Sequence, residues 1–168
     1  MPREMPRSSR SSDPDPGKRA LACALRILTR RDCSTAELTR KLGDRGIVDP
    51  LAGEVVARLQ EAGYLDDRRF ARQWAESAVR SGRGYGPRLR LELIRRGVPA
   101  EIVAGVLAAV AADYDESETL GALLARKFAG FNPAAAPDRE KRRVMQYLQR
   151  RGFSTAAIFQ AFRLTEGC

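Results

Sequence analysis

The sequence of 168 residues contains no histidine and only three cysteines. Without histidine there can be no His-based general base, no Ser–His or Cys–His nucleophile pair and no His-ligated metal site. The cysteines, Cys23, Cys33 and Cys168, are odd in number and lack CxxC spacing, so neither a disulfide framework nor a Cys-rich zinc module is expected, and a reducing cytoplasm fits best. The sequence therefore predicts no catalytic site, no metal and no cofactor.

Long hydrophobic segments are also absent. The longest apolar run, Ile102 to Ala112, has 11 residues, whereas roughly 18–20 are needed to span a bilayer. The N-terminal segment is basic but has no apolar stretch, so it is not typical of a signal peptide. We therefore expect a soluble cytoplasmic protein with no membrane partner. Residues 1–17, rich in Ser, Pro, Arg and Asp, are predicted to form a disordered tail.

Charge is distributed unevenly within a net charge of +9. Residues 68–98 carry nine basic and two acidic side chains, and residues 120–168 carry nine and three. Between these blocks, residues 99–119 carry five acidic side chains and no basic one, while residues 20–67 carry seven basic and eight acidic. Clustered arginines favour a polyanionic partner, either nucleic acid or a nucleoprotein surface; the ordinary alternative is a solvated helix face.

Helix signals recur at regular intervals along the chain. The segments ELTRKLGDRGI, RLRLELIRRGV and RVMQYLQRRGF start at residues 37, 88 and 143, which are 51 and then 55 residues apart. Each ends in a glycine suited to a left-handed C-terminal cap, followed by an apolar residue that packs back on the helix. Ser34 and Glu37 have the spacing of a capping box at the first helix. Each segment is predicted to be the middle helix of a three-helix unit.

The predicted fold is therefore all-α, with three tandem three-helix (helix-turn-helix-like) units in an elongated or curved array. The units cover residues 18–66, 67–112 and 113–168, and the second is the basic one. Because a lone unit of this size buries little apolar surface, the units are expected to pack on one another. The flanking helices are predicted at residues 19–30, 50–62, 68–80, 99–111, 118–129 and 154–163.

Several local segments resemble the RecX family of bacterial recombination regulators. They are Gly63-Tyr64-Leu65-Asp66-Asp67 followed by Phe70-Ala71, then Gly84-Tyr85-Gly86-Pro87, then Glu92-Leu93 with Arg96-Gly97. The resemblance extends from about Ala20 to Arg163 and includes the three-unit organisation. It implies a non-enzymatic modulator of RecA that binds along the groove of the RecA–single-stranded-DNA filament. Inhibition of filament growth, ATP hydrolysis and strand exchange is implied with it, as is a role in DNA repair, recombination and the SOS response.

The helix after Pro87 supplies the main candidate binding residues. At about 100° per residue, Leu89, Leu93 and Ile94 fall on one side, with Arg90 inside that arc. Arginines on the opposite side and border of the helix are predicted to bind the partner, together with neighbours on the preceding helix and loop. The connector from Gly82 to Pro87 is interpreted first as a tight turn between helices, and second as an open loop in which Arg83 and Tyr85 touch phosphates or stack on a base. The full set is Arg68, Arg69, Arg72, Arg83, Tyr85, Arg88, Arg95 and Arg96.

Other residues carry weaker functional interpretations. A second basic cluster, for which binding and a solvated helix are equal alternatives, consists of Lys141, Arg142, Arg143, Arg150 and Arg151. The pair Asp66 and Asp67 is interpreted structurally, with Asp67 as a helix N-cap. An i,i+4 ion pair is expected between Arg88 and Glu92. Trp74 is expected in core or inter-unit packing, and Cys23 is expected to be a small core residue.

The hypothesis drawn from these features is a monomer that binds the RecA filament and restrains it, with single-stranded or double-stranded DNA as a further partner. The alternative is a helical-repeat protein that binds DNA directly, either without sequence preference or at an operator. Against specific readout, no helix combines the Asn, Gln and Arg side chains expected of a base-reading surface.

Overall fold

The computed structural model describes residues 15–164, and every regular element in that range is an α-helix. Three tandem three-helix units are present, as predicted. The first unit comprises α1 (Pro16–Leu28), α2 (Thr35–Gly43) and α3 (Leu51–Glu61); the second α4 (Asp67–Arg80), α5 (Gly86–Arg95) and α6 (Ala100–Asp113); the third α7 (Glu116–Lys127), α8 (Asp138–Arg150) and α9 (Thr155–Leu164). None of these helices is long and apolar enough to cross a membrane.

The N-terminal prediction falls mostly on residues 1–14, outside the described residues. The described part begins with Asp15, whose carboxylate accepts a hydrogen bond from the Gly17 N–H at 3.3 Å. Because Asp15 caps the helix and Pro16 fits its first turn, α1 begins at Pro16, two residues before the predicted start of the first unit at residue 18.

Two acidic residues that were expected to cap helices instead join neighbouring units. The Ser34 hydroxyl accepts the Glu37 N–H at 3.1 Å as predicted, but the Glu37 carboxylate pairs with Arg96 of the second unit. At the start of α4 the N-cap is Asp66, which accepts two backbone N–H groups at 2.8 and 3.0 Å. The prediction that Asp67 is this cap was wrong by one residue. The Asp67 carboxylate accepts the Thr35 N–H of the first unit at 2.7 Å.

The buried apolar residues form two separate cores. One core belongs to the first unit alone and includes Leu38, Leu42 and Leu59. The other is continuous through the second and third units, from Leu89 to Ile158. The three-unit sequence repeat therefore folds into one independent unit followed by a fused pair.

Successive units meet through the same contact, which occurs twice. In what we call the first joint, between the first and second units, the turn after α5 packs on the start of α2. The Ser34 hydroxyl donates to the Arg96 carbonyl oxygen. A Cβ atom on Gly97, where φ is 76°, would lie 2.3 Å from the Cβ of Ala36. Only glycine allows the two backbones to approach this closely.

In the second joint, between the second and third units, the turn after α8 packs on the start of α5. The Tyr85 N–H donates to the Arg151 carbonyl oxygen at 2.8 Å, and the Tyr85 ring stacks on Phe153 with 5.5 Å between centroids. A Cβ on Gly152 would lie 2.1 Å from the Tyr85 carbonyl oxygen. The repeat spacings of 51 and 55 residues place Ser34 opposite Tyr85 and Arg96 opposite Arg151, so the two joints are equivalent in position.

Candidate nucleoprotein-binding surface

The outward face of α5 differs from the one expected from the helical wheel. Leu89 and Leu93 are buried as predicted, but Ile94 is 45% exposed and Leu91 is 52% exposed. Arg90, expected within the apolar arc, lies on the exposed side. The buried direction of α5 is set by α4 and α6, which cover Leu89 and Leu93 and leave the far side open. The helical wheel had left Arg90 out of the predicted set of binding residues. Its exposure adds it to that set.

Glu92 partly neutralises the arginines next to it on α5. Its carboxylate lies 2.6 Å from the Arg88 guanidinium, which confirms the expected i,i+4 pair, and 3.8 Å from that of Arg95. Exposed pairs of this kind contribute about 0.2–0.5 kcal/mol. Arg95 is still 68% exposed, so its guanidinium remains accessible, whereas Arg88 is the better compensated of the two.

Arg96 lies in the first joint and not on the open surface. Its guanidinium is 2.8 Å from the Glu37 carboxylate and only 29% exposed. It also lies over the ring of Trp74, 5.0 Å from the centroid. The expected packing role of Trp74 is confirmed. Because both charge and π contacts of Arg96 are directed inward, the structure gives it an inter-unit role in place of the predicted exposed position.

Tyr85 is buried in a short connector between α4 and α5, as the first interpretation of this segment predicted, so the alternative of an open loop with a ring free to stack on a base was wrong. Its hydroxyl donates to the Tyr114 carbonyl oxygen at 2.8 Å, and burial raises the pKa of this phenol. Arg83 in the same connector is exposed. Its guanidinium donates to the hydroxyls of Ser81 and Ser77 at 2.9 and 3.0 Å, and no carboxylate of the described chain pairs with it.

The three arginines at the start of α4 differ in how they are engaged. Arg69 donates to the carbonyl oxygens of the preceding turn at 3.1–3.3 Å. Arg72 pairs with Glu76 and Asp113, and the hydrogen bond that it donates to the Glu76 carboxylate raises its pKa above the ordinary value. Arg68 is exposed and forms no ion pair within residues 15–164. Arg69 and Arg68 both lack a carboxylate partner within residues 15–164, and of the three only Arg68 has a guanidinium with no protein hydrogen bond either.

The candidate residues are spread along the second unit and do not meet at one point. The start of α4 and the end of α5 both lie against α2, through Asp67 and Arg96. The opposite ends of both helices lie against the third unit, as Tyr85 and Arg151 show. A helix of 14 residues is about 20 Å long, which separates Arg68 from Arg83. We call Arg68, Arg83, Arg90 and Arg95 the central basic surface.

The second predicted basic cluster also contains both residues that contact another unit and residues that are exposed. Arg151 donates to the Arg83 carbonyl oxygen at 2.9 Å and lies over the Tyr147 ring, so it belongs to the second joint. Lys141 is half-buried. The remaining three are exposed, and one of them pairs with Glu140 at 3.9 Å. We call these three the distal basic patch: Arg142, Arg143 and Arg150.

A further group of cations lies in the first unit, where no site was predicted. An open pocket of about 380 Å³ is lined by Cys23 and Ile27 together with Arg26, Arg30, Arg31, Lys41 and Arg45. The balanced charge of residues 20–67 concealed it, because acidic residues elsewhere in the unit cancel these cations in a regional sum. Cys23 lines this pocket and is half-buried, and it packs against the core of the first unit, so it lies at the edge of the core in which it was expected. Within residues 15–164 no group of His, Cys, Asp or Glu is arranged to hold a metal.

Comparisons with known proteins match the whole described fold. Three models of the RecX family fit in order along the chain: the first three-helix domain at residues 20–59, the second at 66–107 and the third at 113–162. Regulatory protein RecX of Trichlorobacter lovleyi is 44% identical over 83% of this chain and 90% of its own length. That of Syntrophotalea carbinolica is 35% identical over 85% and 94%.

Solved structures show the same architecture. The crystal structure of RecX from Lactobacillus salivarius superposes with a TM-score of 0.72 over 90% of this chain and 97% of that one, at 17% identity. A second crystal structure, of a regulatory protein RecX, gives a TM-score of 0.70 over 88% of this chain and 71% of that one, at 16% identity. At these identities the likeness supports the fold.

Proposed function

This chain belongs to the RecX family, and we propose that it binds the RecA–single-stranded-DNA filament and inhibits its ATP hydrolysis and strand exchange. The observation that carries the proposal is the match of three successive RecX domains to a chain whose central unit displays uncompensated arginines. In this proposal the protein is a monomeric, non-enzymatic regulator of DNA repair and recombination in the cytoplasm.

The proposed mechanism uses the central basic surface as the main contact. Its arginines engage acidic protein groups or phosphates of the filament, since guanidinium groups bind both as bidentate donors. The distal basic patch is held on the same rigid body, because the second and third units share one core. Tandem units that contact neighbouring protomers raise the overall affinity without a strong single contact.

The test is single-stranded-DNA-dependent ATP hydrolysis by the cognate RecA, with this protein added well below the RecA concentration. Inhibition at such ratios supports a filament modulator. Inhibition only when the protein is abundant enough to coat the DNA indicates competition for DNA and would overturn the proposal. Adding the protein before or after filament assembly separates capping of the growing end from binding within the groove.

The matched variants for this assay follow from the surface geometry. Arg90→Glu with Arg95→Glu reverses two exposed charges on α5 without touching either joint, and we expect it to raise the concentration needed for inhibition roughly tenfold or more. The control is Lys18→Glu with Arg58→Glu, which makes the same charge change at exposed positions of the first unit. Equal inhibition by both double variants and the wild type would contradict the central-surface mechanism.

A further inference from the structure

The cationic pocket of the first unit lies on two helix stripes. Cys23, Arg26, Ile27 and Arg30 occur at the i, i+3, i+4 and i+7 spacing of one helical face. Lys41 and Arg45 face them at the end of α2, and Arg31 completes the rim. Arg26, Arg30, Arg31 and Arg45 are exposed and Lys41 is half-buried. The two stripes converge on a single open pocket with an Ile27 and Cys23 floor.

No carboxylate in the described chain neutralises this pocket. Arg45 donates to the Lys41 carbonyl oxygen at 2.8 Å, but none of the five cations forms an ion pair within residues 15–164. Asp32 and Asp44, which lie next to Arg31 and Arg45 in sequence, are not among the lining residues. This differs from the second unit, where Arg72, Arg88 and Arg96 all have carboxylate partners.

Helix-end electrostatics do not account for so many cations. The pocket lies at the C-terminal ends of α1 and α2, and each helix end carries about half a negative charge. Five cations exceed that amount by roughly four charges. Arg30 and Arg45 lie just beyond the ends of α1 and α2, and because all five cations line one pocket, their like charges repel one another. A polyanion bound in the pocket would remove this repulsion.

The position of the pocket in the repeat shows that no helix within residues 15–164 docks over it. Arg45 is equivalent to Arg96 and Arg151, whose turns dock on a preceding unit. In the first unit that turn is open, since a Cβ on Gly46 would meet no atom within 4 Å. A second copy of this chain is a poor occupant, because the equivalent surface of its third unit is the start of α8, where Asp138 and Glu140 are outnumbered by Arg139, Lys141, Arg142 and Arg143.

We infer that this pocket binds consecutive phosphates of a single-stranded DNA backbone. Guanidinium groups suit phosphate oxygens because they donate two parallel hydrogen bonds. No aromatic side chain lines the pocket, so base stacking does not contribute and the site takes any sequence. Ile27 and Cys23 provide an apolar floor against which a sugar ring can rest. The inference relies on the proposed function only for the presence of single-stranded DNA in the target.

The first test measures binding of the full chain to a fluorescent oligothymidylate of about 30 nucleotides, without RecA, across a series of salt concentrations. Arg30→Gln with Arg31→Gln removes two pocket charges outside helix α1. Single-stranded DNA releases about 0.7 counterions per neutralised phosphate, so the slope of log K against log salt should become shallower by about 1.4. Affinity near physiological salt should fall roughly tenfold or more.

The matched control is Arg40→Gln with Arg58→Gln, two exposed arginines of the same unit that do not line the pocket. We expect the salt slope and the DNA affinity of this control to change by less than half as much as those of the Arg30→Gln, Arg31→Gln protein. Equal losses of DNA affinity in the two double variants would overturn the inference that the pocket binds DNA, and would indicate only a general effect of net charge. An unchanged affinity in the Arg30→Gln, Arg31→Gln protein would overturn it as well.

The second test uses Cys23 as a reporter on the pocket wall. Its alkylation by iodoacetamide, followed by peptide mass spectrometry, should slow severalfold when the oligothymidylate is bound, and this protection should vanish in the Arg30→Gln, Arg31→Gln protein. Poly-glutamate of matching charge is the competing probe. Equal protection by poly-glutamate would assign the pocket to an acidic protein, and protection that rises with protein concentration alone would assign it to a second copy; either result overturns the inference.

RecA-dependent ATP hydrolysis is measured on the same proteins to keep the two proposals separate. If the wild type binds DNA through the pocket yet does not inhibit RecA, the pocket stands and the proposed function fails. If the wild type inhibits RecA while the pocket substitutions leave DNA affinity unchanged, the proposed function stands and the pocket inference fails.

Discussion

The two joints between units occupy equivalent positions in the repeat but are built from different chemistry. The first joint is polar: a hydroxyl, two carboxylates and a guanidinium connect α2 to the second unit, through Ser34, Glu37, Asp67 and Arg96. The second joint is aromatic, with the Tyr85 ring stacked on Phe153 and continuous with the shared core. Contacts at equivalent positions of the repeat therefore yield a separable connection in one place and a fused one in the other.

The difference follows from what each joint buries. Burial of an aromatic side chain favours association in proportion to the apolar area removed from water. An ion pair must first recover the desolvation penalty of both charges. In the first joint, one Glu37 carboxylate oxygen and the Arg96 Nε have no hydrogen-bond partner among the described residues. We therefore expect the first unit to open from the rest at a lower free energy than the second unit opens from the third.

The largest effect should come from removing the aromatic stack. Phe153→Ala should cost about 3–5 kcal/mol of unfolding free energy through lost burial and the cavity left behind. Val98 is the equivalent residue of the second unit and is equally buried, and Val98→Ala should cost only about 1.5–3 kcal/mol. Denaturant unfolding compares the two. If they cost the same, the aromatic stack does not distinguish the joints.

The next effect concerns the glycines of the equivalent turns. Gly152→Ala places a Cβ at 2.1 Å from a backbone oxygen in the second joint, whereas Gly46→Ala meets open space. Both glycines have positive φ, so both variants carry the same backbone strain of about 1–2 kcal/mol. The additional clash should make Gly152→Ala the more destabilising by about 1–3 kcal/mol, again measured by denaturant unfolding. Equal losses would mean that the second joint tolerates separation of the backbones.

A smaller and more local effect is expected in the first joint. Arg96→Met leaves the Glu37 carboxylate buried without its partner, and should cost about 1–3 kcal/mol. Adding Glu37→Gln to this variant should recover part of the loss, because no uncompensated charge remains. Hydrogen exchange should accelerate in α1–α3 and stay unchanged in α7–α9. Acceleration spread evenly over both cores would contradict an independently opening first unit.

The smallest effect concerns the pH dependence of the second joint. Burial raises the pKa of Tyr85, so the unfolded chain loses this proton at a lower pH than the folded one, and the stabilising contribution is lost as pH rises through about 10 and above. Tyr85→Phe should cost about 0.5–1.5 kcal/mol at neutral pH through the hydrogen bond to Tyr114. The gap between variant and wild type should narrow in alkaline unfolding experiments. A gap that widens with pH would contradict the raised pKa.

The local elements were predictable because their signals are local. Ser34 begins α2, and glycines with positive φ follow α2, α5 and α8 where the repeat places them. Misassignments occurred where a side chain had a choice of partner. Asp67 and Glu37 each satisfy a group of another unit, and nothing within a few residues of either one indicates that partner.

The candidate surfaces were less predictable for the same reason. Arg96 and Tyr85 are residue types that are common on exposed binding surfaces. In this protein the first joint pairs Arg96 with Glu37, and the second joint buries Tyr85. The pocket of the first unit was not predicted because its cations come from the ends of two different helices. A net charge summed over residues 20–67 does not show which side chains lie close together in space.

The amino-acid sequence contains the signals for an all-helical chain of three repeated units, for its cap glycines and for its overall positive charge, because helix capping and hydrophobic periodicity act between residues that are close in the chain. The tertiary structure alone decided that two units share a core while the first keeps its own, and which arginines remain uncompensated. Those outcomes depend on contacts between residues more than 60 positions apart, such as Ser34 with Arg96 and Tyr85 with Phe153, and burial there sets the free energy of each charge.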